Sequence, residues 1–176
     1  MKYVTILILF VSFLAIPTFA DDAKVYPGAL GVRWSSSYPV PSLNNSALLN
    51  PSSTQWLNVD LPIIHDSISH DIDYGWVKVL DRNPNSSSSR IYDVRATLAA
   101  VHWSNSSDRF RARTYTATPS SGSDRNNVQT LYFGKVNTYT YDHYYISCRI
   151  PPAWNGQKSG VVSYKIEEKD GSYLPF

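Results

Sequence analysis

Residues 144–150, YYISCRI, alternate between side chains that suit a protein core and side chains that suit water. Alternation with a period of two is typical of a β-strand, because successive side chains point to opposite faces. Pro151 and Pro152 follow at once and end the strand. Asn155-Gly156 then supplies a tight turn before a second alternating run at residues 162–166. The core-facing residues of these two predicted strands are Tyr144, Ile146, Cys148 and Ile150 in the first and Val162, Tyr164 and Ile166 in the second.

The same period recurs along most of the remaining chain. Six further runs predict strands at residues 30–34, 56–61, 72–80, 90–103, 109–115 and 128–136. The run at 90–103 is the longest, and its middle is apolar on both faces, which predicts the centre of a sheet. About eight strands without a strong helical pattern between them predict an all-β fold, an antiparallel β-sandwich of jelly-roll or immunoglobulin-like type. Gly75 is a candidate β-bulge, and Leu43, Ala47 and Leu48 have the spacing of one short helix.

The composition excludes several classes of protein. Tyr contributes 13 residues and Glu only 2, so residues that favour strands outnumber those that favour helices. Hydrophobic residues at 43% and charged residues at 17% indicate a packed core and exclude a disordered chain. A formal net charge of +2 is too small to indicate a nucleic acid as partner.

Residues 1–20 have the pattern of a secretory signal peptide, with Lys2, an apolar run at residues 4–16, and Ala20 ahead of two aspartates. The apolar run is shorter than the roughly 20 residues that span a bilayer, so we expect cleavage after Ala20 and no transmembrane segment in the mature chain. Residues 21–176 would then form a single β-sandwich domain, secreted or periplasmic. Cys148 is the only cysteine, which rules out an intramolecular disulfide and favours a small buried thiol.

Three arginines, Arg109, Arg111 and Arg113, recur at every second position and predict one face of a strand, with about 6 to 7 Å between neighbours. This spacing suits sulfate, phosphate or carboxylate groups in series, and Tyr115 extends the row. The alternative interpretation is an outward face that keeps the sheet soluble and pairs with acidic neighbours such as Asp93.

A tyrosine-rich segment at residues 138–145 includes His143. Tyr144 belongs to the predicted core face, so His143 and Tyr145 are the outward residues at the start of this strand. Exposed aromatic rings stack on sugars or lie at lipid headgroups. If this face adjoins the arginine strand, the two form a mixed aromatic and cationic surface suited to an anionic glycan or headgroup.

Residues 65–73 hold the densest set of possible metal ligands or acid-base groups in the chain. His65 and His70 diverge on a strand and on a helix, so they converge only in a loop. The alternative interpretation is the polar face of a half-exposed strand, with Ile68 and Ile72 on the other side. The candidates for a metal site are His65, His70, Asp71 and Asp73.

No motif in the chain names a reaction, because Gly-x-Ser-x-Gly, His-Glu-x-x-His and a phosphate-binding glycine loop are all missing. In size and in its content of Tyr, Trp and Ser, the chain resembles secreted carbohydrate-binding modules and small membrane-active cytolysins. The likeness lies in composition alone, so it assigns no residue a role. We therefore expect an exported, non-catalytic binding protein for a glycan or another anionic ligand, with no cofactor. The alternatives are a membrane-binding or pore-forming protein and a secreted hydrolase that uses residues 65–73.

Overall fold

A computed structural model describes residues 22–64, 72–84, 92–104, 109–121, 126–134, 136 and 143–168. Within these residues eleven strands form two antiparallel sheets, accompanied by a 3-10 turn at Gly28–Leu30. The strands are β1 (Asp22–Pro27), β2 (Val32–Arg33), β3 (Ser42–Asn44), β4 (Ala47–Leu49), β5 (Leu57–Pro62), β6 (Ile72–Leu80), β7 (Arg95–Ser104), β8 (Arg109–Thr116), β9 (Val128–Tyr132), β10 (His143–Ile150) and β11 (Gly160–Glu168).

The strand order is that of a jelly roll. Sheet A has the order β3-β4-β11-β6-β9, with β1 also paired to β11, and sheet B has the order β2-β5-β10-β7-β8. From β4 to β11 each strand is followed by one in the other sheet, except that β7 and β8 pair within sheet B. The prediction of an all-β antiparallel sandwich is confirmed, and of the two topologies considered the jelly roll is the one observed.

The core lies between the inner faces of the two sheets. In β10 the residues Tyr144, Ile146, Cys148 and Ile150 are buried, while the residues between them are half-buried or exposed. Full burial of a large apolar side chain contributes about 1.5–3 kcal/mol, so this strand is a major source of stability. The other fully buried large apolar side chains come from both sheets: Leu48, Leu57, Val59, Leu61, Ile72, Val77, Val79, Leu98, Val161, Tyr164 and Ile166.

The centre of sheet B is β10, with β5 and β7 on its two sides. The apolar run at residues 90–103 predicted that its strand would be the central one. The structure places this strand, β7, next to the centre and begins it at Arg95. Ala99 pairs with Tyr145 and is only 4% exposed although it alternates with the core residues of β7. Because Ala99 is buried on the face of β7 that lies opposite the core, this strand is apolar on both faces, and that pattern predicted a central strand.

Register shifts correct two details of the prediction. β11 bulges at Val162, which leaves Val161 as the buried residue. The bulge in β6 lies at Asp73, which the register skips, and not at Gly75. Gly75 is closely packed instead, because a side chain there would come within 2.8 Å of Cδ1 of Ile166 and make that side chain shift.

A hairpin replaces the helix that the spacing of Leu43, Ala47 and Leu48 predicted. β3 pairs with β4, and Asn44 lies opposite Ala47. Asn45 makes the tight turn with a φ of 55°, a left-handed conformation that Asn tolerates better than most residues. The predicted helix is therefore wrong.

β1 closes an edge of sheet A against β11. Asp22 lies opposite Glu168 at one end of this pair, and Glu168 also pairs with Ile72 at the start of β6. Lys24 Nζ lies 3.0 Å from Oε1 of Glu168, whose side chain is 1% exposed. The first and last described residues therefore meet at one end of the sandwich.

The predicted signal peptide, residues 1–20, lies outside the described residues. Within the described part of the chain, no helix is long and apolar enough to cross a membrane.

Candidate ligand-binding face

The outer face of sheet B carries a groove of about 330 Å³, hereafter the sheet B groove. Strand register sets its floor in two rows, because residues directly opposite each other on neighbouring strands share a face. In one row Arg149 of β10 lies between Asn58 of β5 and Arg95 of β7, and in the next row Ser147 lies between Asp60 and Thr97. The residues that line the groove are Trp34, Asn58, Arg95, Thr97, Ser147 and Arg149.

Two arginines lie directly opposite each other in the sheet B groove. Arg149 and Arg95 are register partners on neighbouring strands, and both side chains are exposed. This register places two positive charges side by side on one face of the sheet. A guanidinium group binds a carboxylate or a sulfate through paired N–H donors. The pair is therefore suited to an acidic group of a ligand.

Trp34 forms the aromatic wall of the groove beside β2. Its indole Nε1 donates a hydrogen bond to Oδ1 of Asp60 at 2.6 Å, and its backbone N–H donates to the carbonyl oxygen of Asn58 at 3.1 Å. The residue is 54% exposed, so the ring is held in position while much of it stays accessible. Partial burial raises the pKa of Asp60, and the hydrogen bond from Trp34 opposes that rise.

A second depression, of about 210 Å³, lies at the end of the sandwich where β5 and β7 begin and β10 ends, hereafter the end pocket. Its aromatic walls are Trp56 before β5, Tyr92 before β7 and Trp154 after β10. The rings of Trp56 and Tyr92 are parallel to within 3°, with centroids 6.2 Å apart. None of the described residues that line the pocket is charged; the others are Ser53, Thr54, Asn83, Pro152 and Ala153.

Arg149 joins the sheet B groove to the end pocket. Its guanidinium carbon lies 4.2 Å from the ring centroid of Trp56, a cation–π contact. Arg149 lines the groove and Trp56 lines the pocket, so the two depressions meet at this contact. The distance along the extended chain from Asp60 to Trp56 is roughly 14 Å.

Asn50 holds together the loops that frame the end pocket. Its side chain is fully buried, and its Oδ1 accepts a hydrogen bond from the backbone N–H of Ser52 at 3.1 Å. Its amide group donates to three carbonyl oxygens, those of Gln55, Ile150 and Pro151, at 2.9, 3.2 and 3.0 Å. These bonds tie the loop that carries Trp56 to the end of β10, which leads to Trp154.

Two of the six predicted ligand-binding residues, His143 and Tyr145, lie on the same face of β10 as Ser147. Tyr145 is half-buried, about 7 Å along the strand from Ser147, and His143 is exposed at the start of the strand. The neighbours of β10 are β5 and β7, so β7 separates it from the arginine strand β8. The two strands therefore do not adjoin as the mixed surface would require.

The other four predicted residues lie in β8. Tyr115 pairs with Leu98 and packs against the buried core, so its ring faces the interior and not the outer face. The arginines are described by backbone register alone: Arg109 lies opposite Ser104, Arg111 opposite His102 and Arg113 opposite Ala100. A role for these four residues in binding stays a prediction.

The predicted metal site lies almost wholly outside the described residues, which include neither His65, His70 nor Asp71. Asp73 is described by its backbone alone, in β6. Elsewhere in the described part of the chain, no group of three or more His, Cys, Asp or Glu side chains is placed to hold a metal ion. Metal binding by residues 65–73 stays a prediction.

Cys148 is buried in the core as a free thiol. Burial raises the pKa of this thiol far above its ordinary value, and the charge of nearby Asp60 raises it further. A thiol that keeps its proton at neutral pH is a poor nucleophile, so Cys148 has the chemistry of a small core residue.

The five side chains that give the face its shape and charge were missed by the sequence reasoning: Trp34, Trp56, Tyr92, Arg95 and Trp154. The predicted strands at residues 30–34, 56–61 and 90–103 include Trp34, Trp56 and Tyr92, but alternation does not show which strand ends come together. Trp154 lies outside every predicted strand. The floor was within reach of the sequence, because alternation in the strand at residues 56–61 places Asn58 and Asp60 on the face opposite Leu57, Val59 and Leu61.

The described residues thus define a jelly-roll β-sandwich with a polar, aromatic-walled groove on one sheet. No protein-family model and no curated protein matches the chain. Among solved structures, a xylan-binding module, CBM15, is similar over 86% of this chain and 99% of its own, at 10% identity and a TM-score of 0.47. A family two carbohydrate esterase from Cellvibrio japonicus is similar over 85% of this chain and 34% of its own, at 6% identity and a TM-score of 0.38. A function therefore has to follow from the chain's own residues.

Proposed function

We propose that this chain is an exported glycan-binding protein that holds an acidic polysaccharide in the sheet B groove. The observation that carries the proposal is the direct pairing of Arg95 and Arg149 on the floor of a groove walled by Trp34. The predicted signal peptide, residues 1–20, supports export to a place where such polymers are met.

The arginine pair favours an acidic glycan over a neutral one. A carboxylate or sulfate group that lies between Arg95 and Arg149 would accept hydrogen bonds from the N–H groups of both guanidinium groups. Asp60 contributes one negative charge at the other side of the floor, next to Ser147. The groove is therefore cationic on its β7 side and acidic on its β2 side.

The remaining lining suits sugar rings. Trp34 offers a flat, rigid apolar surface against which the C–H face of a pyranose can pack. Asn58, Thr97 and Ser147 offer an amide and two hydroxyl groups, which both donate to and accept from sugar hydroxyls. Tyr145 extends the same face along β10.

The test is affinity gel electrophoresis and calorimetry with polygalacturonate and chondroitin sulfate as acidic probes and xylan and mixed-linkage glucan as neutral ones. We expect binding to at least one acidic probe that weakens with added salt, because the contacts are between charges near the surface. Arg95→Gln should weaken it, while Lys78→Gln, which removes one exposed positive charge from sheet A, should leave it unchanged.

Two results would overturn the proposal. Binding to none of the four polysaccharides removes it outright, and equal losses in the Arg95→Gln and Lys78→Gln variants remove the sheet B groove as the site. Co-sedimentation with anionic phospholipid vesicles in the absence of glycan binding would favour the membrane-binding alternative instead.

A further inference from the structure

We infer that the end pocket is a second sugar subsite continuous with the sheet B groove, so that the ligand is an extended chain of several sugars rather than a single unit. This inference rests on the proposed function and extends it to a surface that the arginine pair does not reach.

The first support is continuity. The groove and the pocket share no lining residue, yet the 4.2 Å contact between the Arg149 guanidinium and the Trp56 ring joins them. Asp60, Asn58 and Trp56 occupy alternate positions along one edge of the path, which runs for roughly 14 Å before it enters the pocket. A single sugar ring is shorter than this path and would leave one depression empty.

The second support is the chemistry of the pocket. Trp56, Tyr92 and Trp154 supply aromatic surface, and Trp154 remains 40% exposed in the folded protein. Ser53 and Thr54 add exposed hydroxyl groups. With no charged side chain in its described lining, the pocket suits the uncharged face of a sugar, whereas the groove suits an acidic substituent.

The third support is rigidity. The buried side chain of Asn50 bonds to both loops that frame the pocket. The ring of Trp56 is stacked with that of Tyr92 and makes the cation–π contact with Arg149. Walls that are ordered before the ligand arrives lose little conformational entropy on binding, so a weakly polar pocket can still contribute to affinity.

The experiment measures affinity against chain length. Calorimetry of the full mature chain uses size-fractionated oligogalacturonides and chondroitin sulfate oligosaccharides, from the disaccharide upward. We expect affinity to rise with length until both depressions are covered and then to level off. Trp154→Ala should lower the affinity for the longest oligomers by about two- to tenfold and leave that for the disaccharide unchanged.

Two further variants separate a lost subsite from a damaged fold. Thr54→Trp adds bulk at an exposed position in the pocket lining and should abolish the gain with length without touching the core. Tyr132→Ala removes an aromatic ring that is 66% exposed on sheet A and should change nothing. Salt should weaken the affinity for the disaccharide and leave the gain with length unaffected, because the pocket is uncharged.

Failure of the inference differs from failure of the proposed function. If disaccharides and long oligomers bind equally, and Trp154→Ala and Thr54→Trp bind like the unaltered chain, the end pocket is not a subsite although the groove still is. If neither oligosaccharide series binds to the unaltered chain, the proposed function is wrong and the subsite falls with it.

Discussion

The indole Nε1 of Trp34 and the carboxylate of Asp60 form a 2.6 Å hydrogen bond at the β2 edge of the sheet B groove. Trp34 supplies the flat wall of the groove. Asp60 holds the Trp34 ring in position through this hydrogen bond and also carries a negative charge. Asp60 therefore has two opposing effects on an acidic ligand, since it holds the ring in position and repels the ligand.

Two substitutions separate these effects. Asp60→Asn keeps an oxygen acceptor for Trp34 and removes the charge, so we expect it to bind dextran sulfate roughly two- to fivefold more tightly than the unaltered chain. Asp60→Ala removes the anchor as well and should bind about two- to tenfold more weakly than Asp60→Asn. Calorimetry of the three proteins gives the order. Equal affinities for the two variants would show that the hydrogen bond does not position the wall.

Asn50 should be a strong determinant of stability. Asn50→Ala leaves buried carbonyl oxygens without their donor, so we expect the free energy of unfolding to fall by about 1–3 kcal/mol. Urea denaturation measures the change, and Asn44→Ala in the exposed part of β3 is the matched control, with an expected change within about 0.5 kcal/mol. A small effect at both positions would contradict the role assigned to Asn50.

Asp81 should make stability depend on pH. It is fully buried and accepts hydrogen bonds from Ser120 Oγ at 2.5 Å and from the backbone N–H of Asn83 at 3.0 Å. Burial nevertheless raises its pKa above the ordinary value. Because the pKa of Asp81 is higher in the folded state than in the unfolded state, the fold favours the protonated carboxyl group. Its contribution to stability is complete below the unfolded-state pKa and is lost as pH rises through the folded-state pKa.

Asp81→Asn removes this titration while it keeps an acceptor oxygen. We expect the free energy of unfolding of the variant, minus that of the unaltered chain, to be largest at neutral pH. This difference should decrease as pH falls through the folded-state pKa of Asp81. Thermal denaturation of both proteins across this range gives the difference. A difference that stays constant with pH would show that Asp81 does not titrate in this way.

Cys148 should be protected from thiol reagents by the fold. We expect no reaction with a disulfide reagent such as dithionitrobenzoate in the native protein and full reaction in denaturant, because the thiol is buried and its pKa is raised. Ser147→Cys in a Cys148→Ala background places the thiol on the groove side of the same strand and should react at once. Rapid native reaction of Cys148 itself would contradict its place in the core.

Alternation predicted most of the strands that have one buried and one open face, although it did not predict β1. It predicted β5, β6, β10 and most of β11, whose inner residues meet the core. It also predicted a strand at β8, but it placed Tyr115 on the outward face, whereas Tyr115 packs against the core. It missed β4, because Ala47, Leu48 and Leu49 are all buried and therefore do not alternate. A helix was wrongly predicted at this position because the spacing of apolar residues alone cannot show that Asn45 reverses the chain.

The candidate site was only partly accessible to the same reasoning. The outward positions Asn58 and Arg149 follow from the strand pattern, and these residues lie on the floor of the groove. Trp56, Tyr92 and Trp154 lie far apart in sequence and meet only because three strand ends of a jelly roll converge at one end of the sandwich. Such a meeting depends on topology, which local periodicity does not contain.

The pairing of Asp22 with Glu168 brings both ends of the described chain to the end of the sandwich opposite Trp154. β11 alone separates the two ends by roughly 25 Å. A reporter protein joined directly at Asp22 or at Glu168 would therefore stand clear of the end pocket. The described domain could also be inserted into a loop of a host protein through these two adjacent junctions. The same geometry allows several copies to be joined in tandem, with the end pocket of each copy facing away from the linker.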